Sequence, residues 1–445
     1  MRGSAVFRVG VAPGGALAPS WVRDSVSRAA RSTPSLDLRF ADNKSLIDAT
    51  SGQSLVTFTR ASSGTYVGSD GLIKTATTNE ARFDHNPTTG ESLGLLVEEQ
   101  RTNILLQSNQ FDTTWTNLNS SETAAAGTAP DGTNTAWEFR DTVDASAVTH
   151  TLRQSNLTFT SGITYTTSIW AKAGTLPTIN SIAISFPATA FGSTLVSRFN
   201  LETGVVSSAA AGSTNTIVAF PNGWYRCTMS LTATATATAS LDIRTSTNTT
   251  TSYQGDGNGT ILIWGAQIEA AAFPTSYIPT TTATVTRSAD VASITGANFS
   301  SWYRQDEGTV FGDFTASPNT FTTYAALSNG TTSQNSTYID NDSGNIRAVT
   351  FSSSAAVSVL GLGAIGSTNV FSKIASTYKA NDFAAVRNAG TVQTDTSGAV
   401  PASVSQMNLG SNPNGLAVTY LNGTIRRLTY WPSRLPNSTL QEITR

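Results

Sequence analysis

The sequence is poor in charge and has two histidines and one cysteine among its 445 residues. Charged residues make up 13% of the chain, about half of their usual share. Because it also carries 8 Trp, 19 Phe and 11 Tyr, the chain is not a disordered polyelectrolyte. With 27 basic against 29 acidic residues, it lacks the basic stripe of a nucleic-acid-binding protein. The single Cys227 excludes an intrachain disulfide and a multi-cysteine metal site.

Long apolar runs are also missing. No window approaches the 18 or so apolar residues that a membrane-spanning helix needs, so we expect no membrane insertion. Proline and glycine interrupt the first 20 residues, which therefore lack the apolar stretch of a signal peptide. The expectation is a protein made in the cytoplasm that leaves a cell by lysis or as part of a particle.

What the sequence does contain is alternation with a period of two residues. In 224–232, Tyr225, Cys227, Met229 and Leu231 fall on one side of a predicted strand. Many such short segments, separated by Asn-Gly and Ser-Gly turns and joined by almost no helix, are typical of sandwiches and jelly rolls. We predict an all-β chain of tandem β-sandwich or jelly-roll domains with an irregular N-terminal anchoring arm.

Composition shifts divide the chain into five predicted parts. The prolines at 274 and 279, followed by a Thr-rich stretch, mark the end of one β-domain, because proline removes ladder hydrogen bonds. The predicted parts are an N-terminal arm (1–35), a small β-rich domain (36–110), a long β-domain (111–285), a linker (286–299) and a second β-domain (300–445).

Groups suited to catalysis are sparse. No Gly-x-Ser-x-Gly elbow accompanies His85 or His150, and neighbouring residues on a strand such as Glu98 and Glu99 face opposite sides. We therefore predict that the protein is not an enzyme and has no catalytic residues. The two glutamates are expected to pair with Arg101 or Arg60 or to make polar contacts with another subunit. A glycan depolymerase is weakened as an alternative by the missing acid pair and the missing β-helix repeat.

Several separated motifs carry a family resemblance over about residues 50–291. They are FTRAS at 58–62, EARFD at 80–84, LLVEEQRTN at 95–103, NGWYR at 222–226, WGAQIE at 264–269 and PTSYIP at 274–279. This string resembles tailed-bacteriophage virion proteins in which a head-spike or fibre domain is followed by a carbohydrate-binding-module-like jelly roll. Residues 300–445 are similar, more loosely, to concanavalin/laminin-G-like sandwiches, although the turn at 386–390 departs from that pattern.

The resemblance implies a virion structural protein: a spike, fibre or decoration subunit that presents its sandwiches to host-surface glycans. The 36–110 part would attach to other virion proteins of the capsid, tail or baseplate, and Trp21, Val22 and Val26 are the predicted anchoring residues of the arm. Thr/Ala faces and low charge suggest a homo-oligomer, with a trimer as the prediction. The alternative is a capsid or tail cement protein that binds no glycan.

Sugar rings stack on exposed aromatic faces, so the predicted carbohydrate-binding residues are Trp170, Arg226, Tyr253 and Trp264. The competing role for each Trp, and the more common one for large aromatics, is to fill a core or a subunit interface. No cofactor is expected apart from a possible structural Ca²⁺ at Asp256 in the oxygen-rich stretch DGNGT, because sugar-binding jelly rolls often hold one. An ordinary turn uses the same residues.

Overall fold

The computed structural model describes residues 24–174, 179–315, 321–330, 334–365, 370–412 and 419–445. The regular secondary structure of the described residues is mostly strands, which pair in antiparallel fashion, and this confirms the predicted all-β sandwich fold. No helix in these ranges has the length and apolar character to cross a membrane. Trp21 and Val22, predicted as anchoring residues, lie outside the described residues.

The elements of residues 24–110 are two short helices and seven strands. They are α1 (Ser25–Ala30), β1 (Leu36–Leu38), α2 (Phe40–Asn43), β2 (Thr57–Thr59), β3 (Gly64–Val67), β4 (Ile73–Ala76), β5 (Phe83–His85), β6 (Ser92–Val97) and β7 (Arg101–Asn103). Helix α1 begins where the Asp24 side chain accepts hydrogen bonds from the Val26 and Ser27 N–H groups.

The next stretch of chain forms fourteen strands and one short helix. They are β8 (Trp115–Leu118), β9 (Ser120–Gly127), β10 (Ala136–Asp141), β11 (Val148–Thr149), β12 (Thr151–Phe159), β13 (Thr164–Ala173), β14 (Ser181–Phe186), α3 (Ala188–Phe191), β15 (Leu195–Asn200), β16 (Val205–Ser208), β17 (Thr214–Ala219), β18 (Trp224–Thr232), β19 (Ala237–Ser246), β20 (Ser252–Tyr253) and β21 (Thr260–Glu269).

The remaining elements run to the C-terminus. They are β22 (Val285–Arg287), β23 (Val291–Thr295), α4 (Gly296–Ser300), β24 (Glu307–Phe314), β25 (Phe321–Ser328), β26 (Ser336–Asp342), β27 (Asn345–Ser352), β28 (Ala355–Ala364), β29 (Ser372–Lys379), β30 (Phe383–Arg387), β31 (Gln393–Asp395), β32 (Gln406–Leu409), β33 (Gly423–Trp431) and α5 (Asn437–Ile443).

The first sandwich is built from one continuous stretch of chain. Its two six-stranded sheets have the orders β17-β18-β13-β21-β10-β9 and β16-β15-β14-β19-β12-β8. The alternation read from the sequence is correct here, because Cys227, Met229 and Leu231 of β18 all point into the core between these sheets. Residues of β14 and β19, among them Ile182, Ile184 and Ile243, fill that core from the other sheet. We call this unit the jelly roll.

The second sandwich is assembled from distant parts of the chain. One sheet has the order β31-β30-β29-β24-β33-β6-β5 with β1 also on β33, and the other has the order β2-β23-β32-β25-β26-β27-β28. Leu95 of β6 pairs with Ile425 of β33, and Phe58 of β2 pairs with Ala292 of β23. Strands from 36–110 and from the predicted linker 286–299 therefore share sheets and a core with 300–445. Whether 36–110 can fold as a domain of its own stays a prediction.

The chain passes into and out of the jelly roll through two paired strands. Strand β7 precedes the jelly roll, β22 follows it, and the two form an antiparallel pair with Asn103 opposite Val285. We call this pair the neck.

A group of buried charges is linked to the neck through Arg287 of β22. We call it the junction cluster: Arg60, Arg82, Glu98, Arg287 and Asp290, none more than 5% exposed. Asp290 pairs with Arg60 at 3.0 Å and with Arg82. Glu98 pairs with Arg82 at 2.7 Å and with Arg287.

The junction cluster brings together residues from several of the motifs noted in the sequence. It draws Arg60 from FTRAS, Arg82 from EARFD and Glu98 from LLVEEQRTN. The Ser276 N–H of the PTSYIP motif donates to Glu98 at 2.8 Å. Burial opposes ionisation of Glu98, but Arg287 and Arg82 hold its pKa down to about 2. These residues are therefore structural, since each buried charge is paired with an opposite charge from a distant part of the chain.

Candidate ligand-binding groove

Two of the predicted sugar-binding residues lie in the interior. Trp170 and Trp264 are each 2% exposed and meet edge to face, with 5.6 Å between ring centroids. Tyr277 packs on both rings, at 5.5 and 4.7 Å. In this structure neither tryptophan has an open ring face for a sugar, and both fill an aromatic cluster, the other role that the sequence left open.

The remaining two predicted residues are separated from each other. The Arg226 guanidinium lies 4.5 Å from the centre of the Trp170 ring and donates to the Thr275 carbonyl at 2.8 Å. Burial lowers its pKa to about 10. Tyr253 lies on β20, and its ring centre is 4.4 Å from that of His150 with the two ring planes tilted by 43°. Its hydroxyl shares a hydrogen bond of 2.6 Å with Thr245. The four predicted residues therefore form no common surface.

Asp256 occupies a turn. Its Oδ1 accepts from the Asn258 N–H at 2.9 Å, as in an ordinary Asx turn. Within the described ranges no group of three or more His, Cys, Asp or Glu residues is placed to hold a metal ion. Calcium binding at Asp256 stays a prediction.

Val26, the third predicted anchoring residue, packs against other residues of the same chain. It is half-buried on α1 against a cluster that includes Trp431, Leu440 and Ile443, the last two from α5. The helix predicted around it is therefore docked on the second sandwich. Particle anchoring by this segment is not tested.

The two histidines and the glutamate pair have structural partners. His85 and His150 contact backbone carbonyls, Val67 O at 3.0 Å and Asn119 O at 2.7 Å. Glu99 pairs with Arg101, one of the two arginines proposed from the sequence. The other, Arg60, pairs with Asp290 instead.

A cleft of about 350 Å³ opens on the outer face of the sheet that contains β12, β14 and β19. We call it the groove. Its lining mixes small, hydroxyl-bearing and charged side chains: Arg153, Ser185, Pro187, Ala188, Thr189, Thr194, Thr238, Ala239, Ser240, Asp242 and Arg244.

Strand periodicity puts these charges on the outer face. In β19, Leu241 and Ile243 point into the core, so Asp242 and Arg244 point outward. The strand register places Asp242 between Arg153 on β12 and Ser185 on β14. Around α3, Pro187, Ala188 and Thr189 follow directly after β14 and form one wall, since the chain turns there.

The charged groups of the groove hold each other in place. Arg153 donates from Nε and Nη2 to the two carboxylate oxygens of Asp242 at 2.7 and 2.9 Å. Arg244 donates from Nη2 to the same carboxylate at 2.8 Å. Although burial opposes it, hydrogen bonding and charge from both arginines lower the pKa of Asp242. The groove thus offers fixed, ionised donors beside hydroxyl groups, an arrangement suited to polar ligands.

Sequence reasoning missed the groove entirely. A signal was present, because LDIR at 241–244 alternates apolar and charged residues and TLR at 151–153 does the same. The missing information was that residues 153 and 242, which lie 89 positions apart, face each other across two strands.

Comparisons with known proteins give distant structural likenesses. No protein-family model matches the chain, and no curated protein matches it. A NanB sialidase from Streptococcus pneumoniae is 17% identical, with a TM-score of 0.29 over 34% of this chain and 26% of the sialidase chain. The match thus spans about a quarter of that protein.

Two further solved structures resemble smaller units. A CBM40 of the Ruminococcus gnavus IT-sialidase, bound to α2,6-sialyllactose, is 16% identical, with a TM-score of 0.28 over 32% of this chain and 85% of that one. Domains LG4-5 of the mouse laminin α1 chain are 10% identical, with a TM-score of 0.24 over 66% of this chain and 92% of that one. The virion role stays a prediction.

Proposed function

We propose that the protein is an adhesin that binds glycans in the groove of its jelly roll. The observation that carries this proposal is the fixed set of polar groups in an open cleft: Arg153, Asp242 and Arg244 joined at 2.7 to 2.9 Å, with hydroxyl groups around them. Sugars present hydroxyl groups in many directions, and side chains that both donate and accept hydrogen bonds can hold them. The proposed role is binding without catalysis.

A glycan array with the full chain tests this proposal. Ser240 lines the groove on β19 and is partly exposed, so Ser240→Trp would fill the cleft without entering the core. Thr216→Trp is the matched control, because Thr216 is exposed on the edge strand β17 of the other sheet. We expect the array signal to fall about tenfold or more for Ser240→Trp and to stay unchanged for Thr216→Trp. Absence of any signal for the unaltered chain would refute the proposal.

We further propose that the adhesin is carried on a virion as a spike, fibre or decoration subunit, where several weak sites act together. The motif string over about residues 50–291 supports this placement. Immunogold labelling of purified particles tests it, and light scattering of the purified chain tests the trimer. Labelled particles combined with a silent glycan array would favour the cement alternative.

A further inference from the structure

The outer face of the jelly-roll sheet that holds the groove carries an excess of positive charge. Arg153 and Arg244 line the groove, and Asp242 is the single carboxylate in its lining. A third arginine continues the row, because Ala183 of β14 lies between Arg244 on β19 and Arg198 on β15. Two small side chains, Ala183 and Ser185, therefore lie among three arginines.

The arginines keep unused donors. A guanidinium has five N–H groups, and the contacts with Asp242 use two from Arg153 and one from Arg244. Because Asp242 fixes both heads, a ligand need not order them, which lowers the entropic cost of binding. The Arg153 side chain remains 37% exposed, so its free donors are accessible from the groove.

The chemistry of these donors favours an anion over a neutral sugar. Hydrogen bonds from a guanidinium to an ionised oxygen are about twice as strong as those between neutral groups. The planar fork of arginine also matches a carboxylate in two-point contact. A single Asp242 cannot neutralise three arginines, so an anionic group in the groove would gain attraction that a neutral hydroxyl would not.

We infer that the groove selects acidic glycans, in which a carboxylate-bearing sugar is held by Arg153 and Arg244 while Asp242 keeps the two arginines in place. This inference rests on the proposed glycan binding and names its ligand class. Sulfated glycans are also anionic but lack the planar carboxylate. Comparing them with carboxylated glycans therefore distinguishes attraction to any negative charge from specific two-point contact with a carboxylate.

Affinity electrophoresis of the full chain through three polysaccharides tests the inference: neutral dextran, carboxylated polygalacturonate and dextran sulfate. The test variant is Arg153→Gln combined with Arg244→Gln. The matched control is Arg140→Gln, because Arg140 is 40% exposed on the other sheet and pairs with Glu138 as Arg153 pairs with Asp242. Thermal unfolding of each variant confirms that it is folded.

We expect polygalacturonate to retard the unaltered chain most. The double variant should lose that retardation by about tenfold in apparent affinity, while Arg140→Gln keeps it. Equal retardation by dextran and polygalacturonate would overturn the acidic selectivity and leave glycan binding intact. Strongest retardation by dextran sulfate, or an equal loss for Arg140→Gln, would reduce the effect to unspecific charge and overturn the inference. No retardation in any gel would overturn both proposals.

Discussion

The jelly roll and the second sandwich each consist of two packed sheets, but they differ in which parts of the chain supply the strands. Every strand of the two jelly-roll sheets comes from one continuous stretch, β8 to β21. The second sandwich needs β1, β2, β5 and β6 from before the jelly roll and β23 to β33 from after it. The first can therefore complete its core with local sequence, whereas the second depends on both arms of the chain and on the neck between them.

The two units also use arginine differently. In the junction cluster three arginines are sealed with Glu98 and Asp290, and no member is more than 5% exposed. In the groove, Asp242 is also buried, but its partner Arg153 keeps 37% of its side chain exposed to solvent. Removing one partner of a buried ion pair lowers the stability of the fold strongly, whereas removing an exposed partner lowers it little. The exposed partner also keeps donors that a ligand can reach.

The largest expected difference concerns isolated fragments. A fragment of residues 300–445 lacks the strands that cover β33 and β32, so we expect no cooperative thermal unfolding. A fragment of residues 104–284 retains all twelve strands of the jelly-roll sheets and should unfold cooperatively. Near-ultraviolet circular dichroism on heating measures both. A cooperative transition in 300–445 would show that the early strands are dispensable.

Next in size is the loss of one buried arginine. Arg82→Ala leaves Glu98 and Asp290 without a shared partner in the interior, which should lower the free energy of unfolding by roughly 3–5 kcal/mol. Arg153→Ala removes a partly exposed partner and leaves Asp242 paired with Arg244, so it should cost about 1 kcal/mol or less. Urea unfolding of the full chain compares them. Equal losses for the two variants would contradict the distinction between buried and exposed partners.

The smallest expected effect is the pH dependence of the second sandwich. The pKa of Glu98 lies at about 2 in the folded protein against 4.5 unpaired. Its contribution is therefore fully present above pH 4.5 and is lost as the pH falls toward 2, by up to roughly 3 kcal/mol. Urea unfolding at several pH values checks this slope. In Glu98→Gln the slope over this window should be shallower, and an unchanged slope would assign it to other carboxyl groups.

The sequence was sufficient for the fold class because strand alternation is local. The faces assigned to Cys227, Met229 and Leu231 are those of the structure. Alternation also put Trp170 on the opposite face to Ile169, but it could not say that a second cluster, including Tyr277, would cover that face. Whether the second face of a strand is exposed to solvent depends on which other residues pack on it, and the sequence of a single strand does not encode that.

Pairing between strands far apart in the sequence could not be predicted either, because it depends on how the whole chain folds. Nothing near Leu95 indicates that its strand lies beside Ile425, and nothing near Arg153 indicates Asp242. The sequence shows the separate motifs, but it does not show that their charged residues pair in one buried cluster. That pairing depends on how the strands are arranged in space.

The neck gives the jelly roll the properties of an exchangeable cassette. Since the incoming and outgoing chains lie side by side as Asn103 and Val285, about 5 Å apart as in any strand pair, a replacement domain would need two adjacent ends. It would also need a surface for Ile73, which packs with the tryptophans of the jelly roll. A different β-domain could be joined there while the second sandwich keeps its own strands. The strand pairing of the second sandwich would stay the same after such an exchange, because none of its strands comes from the jelly roll.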